Sequence, residues 1–285
     1  MQLPRKHYLS ILTILIFAWG CTGQPSTSEL PAPTNPILPT AASPVPGESP
    51  TATFPVQTDT AQPTADPPTP TPDVLVEEVT FSTQDGIPIA ATLFGDGDLP
   101  VLLLHMGKGL ATNNTQVDWH PFARRLASDG YPGLTVDFRG RGESGGEFEN
   151  DPVILDARAA LDFLQQRGYD RYVCIGAGLG GTTCMVLAQT EPPAGLIVLS
   201  STLSAGPTNT IEEADLARLS MPKLIAYGEK DGFGFPEAME DIYRRAAEPK
   251  QLVTCDSAGH GSVLLYGSCG EELYQQILSL IQDID

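Results

Sequence analysis

Tyr172-Val173-Cys174-Ile175-Gly176-Ala177-Gly178-Leu179-Gly180-Gly181 is the stretch on which the reading of this chain turns. A short apolar run (Tyr172–Gly176) flows into glycines, and a helical pattern (Gly180–Gln189) follows at once. A buried strand that hands over to a helix through glycines belongs in a parallel sheet, with ligands bound beyond the carboxyl ends of its strands. The glycines half match the G-x-G-x-x-G loop of dinucleotide-binding proteins. That reading is set aside. The next strand ends at Ser200-Ser201 with no acid for a ribose, and the glycine loop does not follow the first strand.

Outward from this stretch, apolar runs and helical patterns alternate. Leu75–Ser82 and Ile87–Phe94 read as a hairpin around Gln84-Asp85-Gly86. Val101–His105, Gly133–Asp137, Gly195–Ser200, Lys223–Gly228 and Gln251–Asp256 read as further strands. Val117–Ser128, Val153–Gln166, Pro236–Ala247 and Glu271–Ile281 read as helices between or after them. The pattern predicts an α/β domain over residues 74–285, an eight-stranded and mostly parallel sheet with helices on both faces.

Four more segments fall just past strand ends. They are Leu102–Gly109 (LLLHMGKG), Asp137–Gly146 (DFRGRGESGG), Gly228-Glu229-Lys230-Asp231 and Ala258-Gly259-His260-Gly261. In this order, with these strands, the set resembles the α/β-hydrolase superfamily, near its lidless esterase and dienelactone-hydrolase-like members. The resemblance implies a Ser-His-Asp site in which Asp231 is the acid and His260 the general base. The carboxylate fixes the imidazole tautomer while the other ring nitrogen takes a proton. It also implies an oxyanion hole from the backbone N–H groups of Met106 and Leu179. His105 reads as a structural residue under its loop. Asp137–Gly146 reads as a structural turn within which Asp137 and Arg139 bond, and its Ser144 is not placed to attack.

The same resemblance places the nucleophile at Gly178, in the G-x-S-x-G elbow. Glycine has no side chain to attack with. Thr182, Thr183 and Cys184 lie down the following helix, where about 1.5 Å per residue carries them too deep for His260. Loss of one triad member costs about 10⁶ in turnover, while roughly 10³–10⁴ over water survives from binding and the oxyanion hole. Two readings follow. In the first, the domain is non-catalytic and binds a small ester-like ligand or a protein partner. In the second, His260 and Asp231 activate a water for direct ester or acyl hydrolysis. No cofactor is implied, and His105, His120 and His260 have no metal-ligand spacing.

Residues 1–21 read as an export signal. Arg5 and Lys6 precede the apolar run Tyr8–Gly20, which is too short to span a bilayer. Ala18-Trp19-Gly20-Cys21 resembles a bacterial lipobox, which would lipidate Cys21 and hold the protein on the outer face of the cell membrane; the alternative is an ordinary cleaved signal and a secreted protein. Residues 22–73 carry 14 Pro, 11 Thr and no Lys or Arg, the composition of a disordered, extended tether. The membrane is then reached through the lipid anchor alone.

The whole chain has 35 acidic and 16 basic residues, a net charge of −19. Such a polyanion repels phosphate backbones, which argues against nucleic-acid partners. Cys174 and Cys184 read as small buried apolar residues, whereas Cys255 and Cys269 bracket the His260 loop as a candidate disulfide.

Overall fold

The structure is a computed structural model that describes residues 73–105, 115–148, 152–233 and 235–284. The predicted signal peptide, tether, Cys21 and Met106 lie outside the described residues. Eight strands form one sheet: β1 (Val76–Ser82), β2 (Pro88–Phe94), β3 (Val101–Leu104), β4 (Gly133–Val136), β5 (Val173–Ala177), β6 (Gly195–Leu199), β7 (Lys223–Gly228) and β8 (Lys250–Cys255). Their spatial order is β1-β2-β4-β3-β5-β6-β7-β8. β2 runs antiparallel to both β1 and β4, and the ladders from β4 through β8 are parallel.

Strands β3 to β7 are buried at every position because both faces are covered. Leu102 and Leu104 pack in one core with Ala157, Leu161, Met185 and Ile242. Val101 and Leu103 point the other way, into a core with Phe122, Leu126, Leu273 and Ile277. The first core belongs to helices α2 (Val153–Gln166), α3 (Leu179–Leu187) and α5 (Phe235–Arg245). The second belongs to α1 (His120–Ser128) and α6 (Gly270–Ile284). The short α4 (Glu213–Leu216) lies on the excursion between β6 and β7, where an isolated bridge joins Ser204 and Thr210.

From β3 the chain steps to β4 on one side and later returns as β5 on the other. That reversal of winding opens a crevice at the carboxyl ends of β3 and β5. The glycine stretch sits there.

Three local expectations need correction. The helix predicted from Val117 begins as a 3₁₀ turn, Gln116–Trp119, and becomes α-helical at His120. Pro121, at the start of that helix, is where a missing N–H costs least. Cys174 and Cys184 are not separate apolar residues: β5 and α3 bring their Cα atoms to 6.0 Å, and a disulfide joins them. Arg139 does not bond within its own turn. It reaches out to Asp85 in the hairpin and Asp156 on α2. A second disulfide, Cys255–Cys269, closes the span that contains His260.

Candidate functional site

The elbow is built by close approach. A Cβ at Gly176 would stand 2.2 Å from the Gly180 carbonyl oxygen, and one at Gly180 would stand 2.2 Å from that of Leu104. Only glycine lets strand β5, helix α3 and strand β3 meet so tightly. Gly178 itself adopts φ 52°, ψ −119°, a conformation strained for any residue with a side chain. Its N–H donates to the Leu199 carbonyl at 2.9 Å. Its own carbonyl accepts from the Gly181 N–H at 3.0 Å and the Ser201 hydroxyl at 2.7 Å.

The hydroxyls nearby are occupied elsewhere. Thr182 Oγ1 pairs with Ser201 Oγ (3.1 Å) and donates to the Thr202 carbonyl (2.8 Å). Thr183 Oγ1 donates back to the Leu179 carbonyl at 2.9 Å. Cys184 is held in its disulfide. Ser200 has a positive φ of 42°, and its buried Oγ makes no hydrogen bond. None of these groups bonds to His260.

Past β7 the geometry is different. Backbone N–H groups of Glu229 and Lys230 donate to the carbonyls of Cys255 and Ser257, lacing the ends of β7 and β8 together. This fixes Asp231 beside the loop that carries His260. Asp231 Oδ2 lies 2.8 Å from His260 Nδ1, and Asp231 Oδ1 accepts the Phe233 N–H at 3.1 Å. The aspartate side chain is fully buried and the imidazole is 17% exposed. With Nδ1 donating to the carboxylate, the lone pair sits on Nε2. Nε2 has no hydrogen-bond partner among the described residues. The pair is therefore arranged to take a proton from a group placed above it. Two rings frame it, Phe235 at 4.4 Å and Phe233 at 5.3 Å between centroids.

The turn after β4 is structural, as its sequence suggested. The Asp137 carboxylate accepts from Gln116 N (2.7 Å), Gln116 Nε2 (3.0 Å) and Glu143 N (3.2 Å). Burial pushes its carboxyl up, and these donors pull it back. Ser144 Oγ donates to the Asp137 carbonyl and accepts from Ala90 N. His105 is buried, its Nε2 accepts the Phe138 N–H at 3.2 Å, and burial, helped by nearby Arg141, lowers its pKa to about 3. It is a neutral packing residue, away from the Asp231–His260 pair.

Of the residues expected at the site, the structure pairs Asp231 with His260. Sequence reasoning missed Ser200, Phe233 and Phe235. The alternation Asp231-Gly232-Phe233-Gly234-Phe235 was visible, but nothing in it said that both rings turn onto the imidazole. Among the described residues, no group of three His, Cys, Asp or Glu side chains is placed to hold a metal ion.

A family model described as alpha/beta hydrolase fold matches residues 100–219. The same fold appears in solved esterases. The Pyrococcus furiosus esterase Pf2001 superposes with a TM-score of 0.63 at 18% identity, covering 74% of this chain and 93% of that one. A malate-bound thermophilic esterase from Thermogutta terrifontis gives 0.60 at 20% identity, covering 73% and 99%. The domain has the α/β-hydrolase fold.

In sequence, the chain is 30% identical over 137 residues to an uncharacterised protein of Rickettsia prowazekii, which is 46% of this chain but only 56% of that relative. It is 27% identical over 225 residues to the uncharacterised protein YfhR of Salmonella typhi, covering 67% of this chain and 76% of the relative. The family match stops before Asp231 and His260, so their pairing rests on the geometry above.

Proposed function

We propose that this is an exported α/β-hydrolase-fold protein that binds a small ester-like ligand and does not form an acyl-enzyme. The observation that carries the reading is Gly178 at the elbow: the strained backbone of a nucleophile is present and the nucleophile is not. Among the described residues, the hydroxyls of Thr182, Thr183 and Ser201 bond elsewhere, Cys184 is in a disulfide, and the buried Ser200 hydroxyl makes no bond to His260. Within this reading Asp231, His260 and the degenerate position 178 line the site, and the N–H of Leu179 with that of Met106 supplies an oxyanion-type cradle for a carbonyl oxygen. The signal, the lipidated Cys21 and the Pro/Thr tether hold the domain outside the cell on the membrane face. The two disulfides fit an oxidising compartment.

The test is labelling. Fluorophosphonate probes should leave the purified protein unmodified, and nitrophenyl esters should give no burst. Stoichiometric labelling of any serine would overturn the reading.

The intact Asp231–His260 pair favours one second reading, direct hydrolysis. His260 Nε2 would take a proton from water as its oxygen adds to the ester carbonyl. The tetrahedral adduct would then expel the alkoxide, which receives that proton from the imidazolium, leaving acid and alcohol. Slow turnover without a burst that is abolished in His260→Ala would establish it.

A further inference from the structure

Large apolar side chains exposed to water are few in the described domain, and they are not scattered evenly. Leu75 and Val76 lie at the sheet's first edge and Leu252 on its last strand. The other three, Val117, Phe233 and Tyr266, stand on loops past the carboxyl ends of strands. Phe233 is 57% exposed yet its ring packs edge-on against His260, and Phe235 covers the imidazole from closer in.

Phe233 is not loose surface. The carboxylate that holds the imidazole also accepts its backbone N–H, so the ring is positioned by the same group that orients His260. Tyr266 follows His260 by six residues in the next 3₁₀ turn, Gly261–Tyr266, and its hydroxyl bonds the Asp118 carbonyl, beside Val117. Apolar surface therefore stands on both chain segments that lead away from the pair. Ligand sites combine such apolar walls with a few oriented polar groups. What marks Phe233 is its place: an exposed ring held edge-on against the imidazole by the carboxylate that orients it.

We infer that the site selects ligands that carry an aryl or comparably bulky apolar group next to the ester-like carbonyl, with Phe233 and Phe235 as the wall that receives it. The carbonyl end lies toward Gly178 and His260, and the apolar end lies over the two rings. Phe233 acts as a specificity-determining residue and Phe235 as its support. This inference rests on the ligand-binding reading given above.

The experiment uses uncleavable amide mimics of esters as probes, N-benzylbutanamide against N-methylbutanamide, titrated into the full chain. The readout is the His260 ring resonance by NMR. N-Benzylbutanamide should shift that resonance saturably and bind at least about tenfold more tightly than the methyl amide. Phe233→Ala should lose most of that preference, and Phe233→Tyr should keep it. Because Phe233 is largely exposed, its removal leaves the fold intact, which the amide spectrum checks directly. Equal binding of both amides would overturn the aryl preference while leaving ligand binding in place. Preference that survives unchanged in Phe233→Ala would overturn the assignment to this wall. Saturation by neither amide would overturn the inference, and the ligand-binding reading with it.

Discussion

The turn after β4 and the loops after β7 and β8 are both glycine-rich, both stand at the carboxyl end of the sheet, and both centre on an aspartate. They differ in where their hydrogen bonds end. Around Asp137 the bonds end on the aspartate itself: Gln116 and the Glu143 N–H donate to its carboxylate, and the Ser144 hydroxyl donates to its carbonyl. Arg139 goes further and ties three pieces of chain together, with Asp85 on one side and Asp156 on the other. Around Asp231 the network stops one bond short, at His260 Nε2. Buried polar groups that are fully paired hold a fold, whereas an oriented nitrogen left unpaired at the end of such a chain is a place for a ligand. On this physical ground we read the Asp137 turn as scaffold and propose the Asp231 loop as the site.

The sharpest way to break that contrast is to give His260 its missing partner. Gly178→Ser should produce nitrophenyl-ester hydrolysis at least about 10³-fold above the parent, together with fluorophosphonate labelling of the new serine. The backbone at 178 already has the shape the serine needs. The variant should lose about 1–3 kcal/mol of stability, because a side chain is strained at that φ. A folded but inert variant would mean that Asp231–His260 is scaffold too, and the comparison would fail.

The opposite half is tested through Arg139. Its guanidinium makes paired hydrogen bonds to Asp85 and to Asp156, and the Asp156 side chain is wholly buried. Removing it in Arg139→Ala leaves the Asp156 carboxylate with only the backbone N–H of residue 139 and no counter-charge, and should cost about 3–5 kcal/mol in denaturant unfolding. His260 ring shifts should stay where they were. A loss under about 1 kcal/mol would show that the turn is not held as described.

A smaller effect comes from the disulfides. Cys174–Cys184 braces the elbow from behind, and Cys255–Cys269 braces the His260 loop. Loops of this size give about 3 kcal/mol per bridge in the chain-entropy account. In the domain from residue 74 onward, thiol titration of unreduced, denatured protein should find none free, and four after reduction. Four before reduction would remove both braces.

Much of this was readable in the chain. The sheet was legible because Val101–Leu104, Val173–Ala177 and Gly195–Leu199 carry no charged or polar side chain, a pattern typical of strands covered on both faces. Asp231 and His260 were legible because each sits beside glycines just past a strand. Contacts that depend on which way a side chain turns were not. Cys174 and Cys184 are ten residues apart, and only the packing of α3 onto β5 makes them a pair. Arg139 sits among glycines and an aspartate of its own turn, yet its partners are 54 and 17 residues away. The strain at Ser200 leaves no mark in composition, since serine ends many strands without it.

The contrast also has a pH signature, the smallest effect per unit. His105, buried at the end of β3, is a neutral ring, its pKa lowered to about 3, chiefly by burial, from an ordinary value of 6.5. His120, half-buried at the start of α1, is lowered as well, again chiefly by burial. In the unfolded chain both bind a proton below about pH 6.5, and in the folded chain they resist it. The unfolded state therefore holds more protons through this window, and stability falls as pH falls. The fully buried His105 alone gives a slope approaching about 1.4 kcal/mol per pH unit as pH drops below 6. Carboxylates such as Asp85, drawn down to about 2 by hydrogen bonds from Arg139 and Thr83, begin to add the same sign only nearer pH 4. The buried Asp137 and Asp156 carboxyls, raised by burial, act with the opposite sign, so urea unfolding at pH 7, 6, 5.5 and 5 is read as the difference between the parent and a His105 variant. His105→Gln, which can keep an acceptor for the Phe138 N–H, should flatten most of the slope there while leaving the His260 ring resonance unmoved. An unchanged slope in that variant would mean that His105 takes up protons as readily folded as unfolded, and its burial would then not set it apart from His260.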